Sequence, residues 1–155
     1  DNLTIPTIEA KNIKLNNKII HQSKLLKYFE DQYDIQKVEE DLNKLLKSIK
    51  KNKDYIVSTK DLILIEALVS DGVNISKKYK NMFSFDQSNI PTDIQLLISN
   101  DEIGMVLLRL VEIIGEDNLE SLGSDTIYFM STVLNQLNLD SIRNSMLLKV
   151  LPLKI

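Results

Sequence analysis

The sequence contains no cysteine and no tryptophan, one histidine, four glycines and three prolines. Each shortage excludes something. Without cysteine there is no disulfide, no thiolate metal site and no Cys nucleophile. The compartment stays open, because a Cys-free soluble chain is at home in cytoplasm or periplasm alike. A Ser-His-Asp triad would have to use His21, which follows a weakly patterned arm with no partner implied by spacing, whereas a general base must be held rigidly. One histidine with scattered carboxylates is a poor basis for a metal site. No two glycines stand in a G-x-G or Walker arrangement, so the phosphate-cradling loop of nucleotide enzymes is missing. The longest nearly apolar stretch, Ile103 to Ile114, is interrupted by Arg109 and too short to span a bilayer. The 22 acids supply many carboxylate pairs, yet none has a context that raises one pKa, as glycoside hydrolysis requires. We therefore expect no catalytic residues, cofactor or metal: a non-enzyme.

What is present points to helices. Few glycines and prolines suit long helices on short connections and disfavour an all-β fold, which places such residues at its turns. At 155 residues, 43% hydrophobic and 26% charged, the chain fits one domain with a real core. Residues 1–20 alternate weakly around Pro6 and read as an extended arm; 21–155 read as a single all-α domain. Asp1 is not an initiator Met, which suggests the C-terminal part of something longer, or a mature form. Charge is unevenly spread: residues 1–60 carry 12 lysines and 9 acids, residues 61–155 carry 7 basic and 13 acidic residues.

Periodicity predicts a short helix around 22–30, with Leu25, Leu26 and Phe29 inward, and a longer one from an Asp34 cap. In the latter, Ile35, Val38, Leu42, Leu45 or Leu46, and Ile49 form one stripe. A Ser58-x-x-Asp61 capping box opens a mostly buried helix that Gly72 stops. A short helix at 75–83 turns Tyr79, Met82 and Phe83 inward. The segment 84–91 reads as a loop and possible sub-boundary. Thr92-x-x-Gln95 reads as a second capping box. The helix of 101–117, closed by Gly115, is apolar nearly all round and is expected inside a bundle or between neighbours in a stack. Ser124 is expected to cap the next helix, with Ile127, Met130, Val133, Leu134 and Leu137 inward and Asn138 as its left-handed stop. Asp140 is expected to cap the last, with Ile142, Met146, Leu147 and Val150 inward. Capping also accounts for Asp71, Asp117 and Asp125.

The segments LILIEALVSDGV (62–73) and LLRLVEIIGEDN (107–118) share a pattern of apolar run, acid and Gly stop. The stretch from Ser58 to Val73, with 107–153, resembles the C-terminal end of long, uncharacterised α-helical proteins of alphaproteobacteria, themselves similar to tetratricopeptide-like α-solenoids. The resemblance covers roughly the last 95 residues, lacks the tetratricopeptide Trp-Leu-Gly-Tyr signature and implies no activity. It implies stacked helical hairpins, α-solenoid-like or an irregular bundle.

The final hairpin, 131–155, admits three readings: a DNA-reading unit, a membrane-seeking tail, or the last hairpin of a stack. Arg143 and Lys149 face Glu116, Asp117, Glu120, Asp125 and Asp140, too little positive charge for phosphate anchoring. The apolar tail is too short to anchor in lipid. The third reading stands, with Leu151 to Ile155 as a lid and Arg143, Asn144 and Lys149 as the polar outer face. The expected function is protein–protein interaction or scaffolding. Tyr128 and Phe129, outside the inner stripe, are candidate partner contacts, against the plainer reading that they pack. The alternative is a nucleic-acid-associated protein using Lys44, Lys47, Lys50, Lys51 and Lys53, against the plainer reading that they complement their own helix dipole.

Overall fold

The computed structural model describes residues 24–83 and 90–152. The N-terminal arm, His21, most of the 84–91 loop and residues 153–155 of the proposed lid lie outside the described residues. The described residues are all-α. A 3-10 helix, Lys24–Phe29, precedes α1 (Ile35–Lys51), α2 (Thr59–Ser70), the single turn α3 (Lys77–Lys80), α4 (Thr92–Ser99), α5 (Ile103–Ile114), a 3-10 turn (Leu119–Ser121), α6 (Ser124–Gln136) and α7 (Asp140–Val150).

Local chemistry sets several boundaries. Asp34 accepts from the Gln36 amide and caps α1. At α2, Ser58 and Asp61 bond each other's amides in a full capping box. Three helices end in one way: Gly72 (φ 98°), Asp101 (φ 58°) and Asn138 (φ 53°) turn left-handed. The next residue's amide then reaches back, Val73 to Leu68, Glu102 to Leu97 and Leu139 to Leu134. That is a Schellman closure, satisfying carbonyls that the helix leaves open.

Five expected caps are not made, two of them at Asp117 and Asp125, since Asn118 and Gly123 hold the N-cap positions of the 3-10 turn and α6. Pro91, not Thr92, is the N-cap of α4, and the Gln95 amide bonds the Ile90 carbonyl instead of completing a box. Ser124 and Asp140 are already the first helical residues of α6 and α7, behind Gly123 and Leu139, and neither caps.

The core has α2 at its centre. Asp61, Ile63, Leu64, Ile65, Ala67 and Leu68 are all buried there, and α6 lies along it through Ile127, Met130, Ser131, Val133 and Leu134. Val38, Leu42, Leu46 and Ile49 of α1 and Leu25, Leu26 and Phe29 of the 3-10 helix add to the same cluster. Fully burying one such side chain contributes about 1.5–3 kcal/mol. Helices α6 and α7 form one hairpin, α4 and α5 another.

Three expectations about facing are overturned, the first at Ile35, which heads the expected stripe of α1 but is 40% exposed because it lies in the first turn of the helix. In α7 Met146, Leu147 and Val150 face inward as expected, but Arg143 joins them with no exposed surface, while Ile142 faces solvent at 48%. Helix α5 does not lie inside the bundle. It buries only Val106 and Leu110, because α4 is its main neighbour, and most of its apolar circumference faces solvent.

Candidate functional site

Four of the five tyrosines donate their hydroxyls to carboxylates. Tyr28 bonds Asp41 at 2.6 Å, Tyr33 bonds Asp71 at 2.5 Å, Tyr55 bonds Asp61 at 2.9 Å and Tyr128 bonds Glu66 at 2.7 Å. Three of these acceptors belong to α2 or its C-cap, so α2 is clasped from Tyr33, Tyr55 and α6. The Tyr28 phenol is pushed up to about 12, first by its bond to Asp41 and then by burial. Burial, followed by the carboxylate partner, raises Tyr33 and Tyr55 as well. These phenols stay protonated donors.

The tightest clasp is Arg143. Its guanidinium places one nitrogen 2.8 Å from both Asp71 oxygens, and bonds Asn135 at 3.0 Å and Asn144 at 2.8 Å. A weaker contact reaches the Ala67 carbonyl at 3.4 Å. Asp71, the C-cap of α2 through its backbone, also anchors α7 and Tyr33 through its carboxylate. A buried ion holds its place only when its charge and donors are satisfied in this way. A polar recess of about 660 Å³ beside it includes Tyr33, Asp71, Asp140 and Asn144. Its Asp71 carboxylate is already committed, so we assign this cluster to holding the fold together.

The residues proposed as partner contacts fall inside this framework. Tyr128 and Phe129 are half-buried and packed against the core, with the Tyr128 hydroxyl committed to Glu66. The exposed apolar surface lies elsewhere. On α5, Met105, Leu108, Val111 and Ile113 are 42–60% exposed, and Leu96 of α4 is equally open. Val111 continues into a groove of about 550 Å³ between α5 and α7, floored by Met130 and Leu134 of α6 and walled by Leu107, Leu110, Ile142 and Met146. Its polar lining is Ser141, Ser145 and Lys149. Such a lining offers apolar burial with two hydroxyls and one ammonium at the edge, which suits binding more than proton transfer. The surface pair of Arg109 with Asp93 and Glu112, at 3.0 and 2.9 Å, links α5 to α4, and exposed pairs of this kind contribute little stability.

The lysines singled out from sequence, Lys44, Lys47, Lys50, Lys51 and Lys53, are all exposed. The fold adds three more. Helix α3 packs on α1, bringing Lys77, Lys78 and Lys80 to the same end. The Lys50 ammonium donates to the Lys78 carbonyl at 3.0 Å. Lys78 and Lys50 stand 4.9 and 5.8 Å from the centre of the buried Tyr79 ring. The signal was present in the KKYK segment, but only the packing of α3 joins it to α1.

Among the described residues no group of three or more His, Cys, Asp or Glu side chains is arranged to hold a metal ion. No helix among them is long and apolar enough to cross a membrane. No protein-family model, curated protein or solved structure matches this chain.

Proposed function

We propose that this chain is a non-enzymatic interaction module that docks an amphipathic helix of a partner protein in the groove between α5 and α7. One observation carries the reading. Helix α5 leaves Met105, Leu108, Val111 and Ile113 in water, beside a groove whose walls are already helices. A contiguous apolar patch rimmed by polar residues is the usual mark of a binding surface. A helix presenting apolar residues at steps of three and four fits such a trough. Glu116, Asp117 and Glu120 follow α5 in the turn toward α6, so basic residues on the incoming helix would be favoured there.

The test is site-specific crosslinking in the cell that makes the protein, with a photoreactive residue at Leu108. One discrete partner band, lost on Val111→Glu or Ile142→Glu with the circular dichroism spectrum unchanged, is expected. Only self-crosslinks, or no product from a folded chain, would overturn the reading.

A further inference from the structure

The eight lysines at the α1–α3 end form a second surface, built from different elements than the groove. Residues 42–53 contain no acid, and neither do residues 72–85. Among the described residues none of Lys44, Lys47, Lys50, Lys51, Lys53, Lys77, Lys78 and Lys80 is ion-paired with a carboxylate. Glu39, the acid that could have faced them from α1, is spent on the Asn74 amide at 2.7 Å. Glu40, Asp41 and Asp54 flank the cluster in sequence, Asp41 being held by Tyr28 and Lys24, and leave its positive charge in excess.

The neighbours of this charge identify its partner. A recess of about 310 Å³ between α1 and α3 is lined by Asn43, Lys44, Lys47, Ser76, Lys78 and Tyr79, and by one carboxylate, Glu40. The Asn43 amide is committed to the Glu39 and Asn74 carbonyls, which leaves three ammonium groups and the Ser76 hydroxyl as donors for a phosphate headgroup. Two open aliphatic side chains neighbour single lysines of the group, Ile56 following Lys53 in sequence and Val69 lying by Lys80. Ile56, in the loop leaving α1, is 69% exposed, more than any other large apolar residue described. Val69 is 44% exposed and shares a shallow recess with Lys80.

A single-stranded nucleic acid would instead want exposed aromatic platforms. Tyr79 is buried under lysines, and Tyr55 is half-buried on Asp61. The cluster has no arginine fork for reading base edges. Lysines around exposed aliphatics are the composition of a surface that rests on anionic lipid, its charges on the phosphates and its apolar tips between headgroups.

We propose that the α1–α3 pole docks on an anionic lipid membrane, with phosphate headgroups at Lys44, Lys47 and Lys78 and with Ile56, in the loop after Lys53, as the inserted apolar tip. The contact is peripheral.

The test is co-sedimentation of the full chain with phosphatidylcholine vesicles, with and without phosphatidylglycerol, alongside a competing duplex oligonucleotide. Binding is expected only with phosphatidylglycerol and should fall as salt is added. Joint replacement Lys44→Glu, Lys47→Glu, Lys78→Glu should weaken it by more than about a hundredfold. Ile56→Ser should weaken vesicle binding about tenfold while leaving any oligonucleotide binding unchanged. All these positions are exposed, and an unchanged thermal melt confirms folding. Three results would each overturn the proposal: no binding to anionic vesicles at low salt, displacement from them by the oligonucleotide, or indifference to Ile56→Ser.

Discussion

Helices α2 and α5 are near equals as strings of residues. Each has 12 residues, each is predominantly aliphatic, and each stops at a glycine. In the fold they have opposite fates. Helix α2 buries six residues and is held by tyrosine or arginine contacts at Asp61, Glu66 and Asp71. Helix α5 buries two, and its charged residues Arg109 and Glu112 pair only at the surface. An apolar circumference states how much cover a helix can use, and the arrangement of its neighbours decides how much it receives. Helix α2 has α6 along its length and anchors from α7 and Tyr33. The principal neighbour of α5 is α4.

The sharpest way to break the contrast is to remove the anchor of α2. Arg143→Ala should cost about 3–5 kcal/mol in chemical denaturation, because it strands the largely buried Asp71 charge without its cation. The paired replacement Arg143→Met with Asp71→Leu should recover most of that loss. A single-variant cost near zero would show that the clasp is incidental.

Cavity formation separates the two helices directly. Leu64→Ala in α2 should cost about 2–5 kcal/mol. Val111→Ala in α5 should stay within about 0.5 kcal/mol, as for other surface sites. If equilibrium unfolding shows equal losses, α5 is covered in the working protein and the contrast fails.

A smaller effect comes from titration. Burial raises the carboxyl of Glu66 on α2, against the opposing bond from Tyr128. The folded state then holds that proton more tightly than the unfolded chain. Stability is therefore lost as pH rises from the ordinary value of 4.5 through the raised one. Asp41 on α1 is lowered, chiefly by the Tyr28 hydroxyl and also by Lys24, although burial opposes them. Its contribution is present above the ordinary value of 3.8 and is lost as pH falls through the lowered one. Melting curves against pH should thus move in opposite senses. Glu66→Gln should raise Tm at neutral pH and gain nothing in acid, while Asp41→Asn should lower Tm at neutral pH and change little in acid.

The smallest effect is expected at Ser131, whose buried hydroxyl has no hydrogen-bond partner among the described residues. Ser131→Ala should leave stability unchanged or raise it by no more than about 1 kcal/mol by calorimetry.

Much of the helical outline was legible because its causes are local. The box of Ser58 and Asp61, the stop at Gly72 and the left-handed Asn138 each act within a few residues. Asp101 escaped notice because aspartate adopts the left-handed turn less often than glycine or asparagine, and nothing nearby marks it. Thr92, Ser124 and Asp140 looked like caps, but the helices begin one residue earlier than capping would place them. Of the surfaces, five lysines of the basic pole could be read from α1 and the turn that follows it. The other three needed α3 folded against α1.

The sequence by itself determined an all-helical chain, most of its stops and the inner stripes of α1 and α6, since periodicity and terminal chemistry depend only on near neighbours. Tertiary structure decided which apolar helix is covered, that Arg143 points inward while Ile142 points out, and where the lysines gather. Those outcomes depend on partners far along the chain: Arg143 finds its charge at Asp71, 72 residues away. A helical wheel shows which faces a helix has, and only packing assigns each face to protein or water.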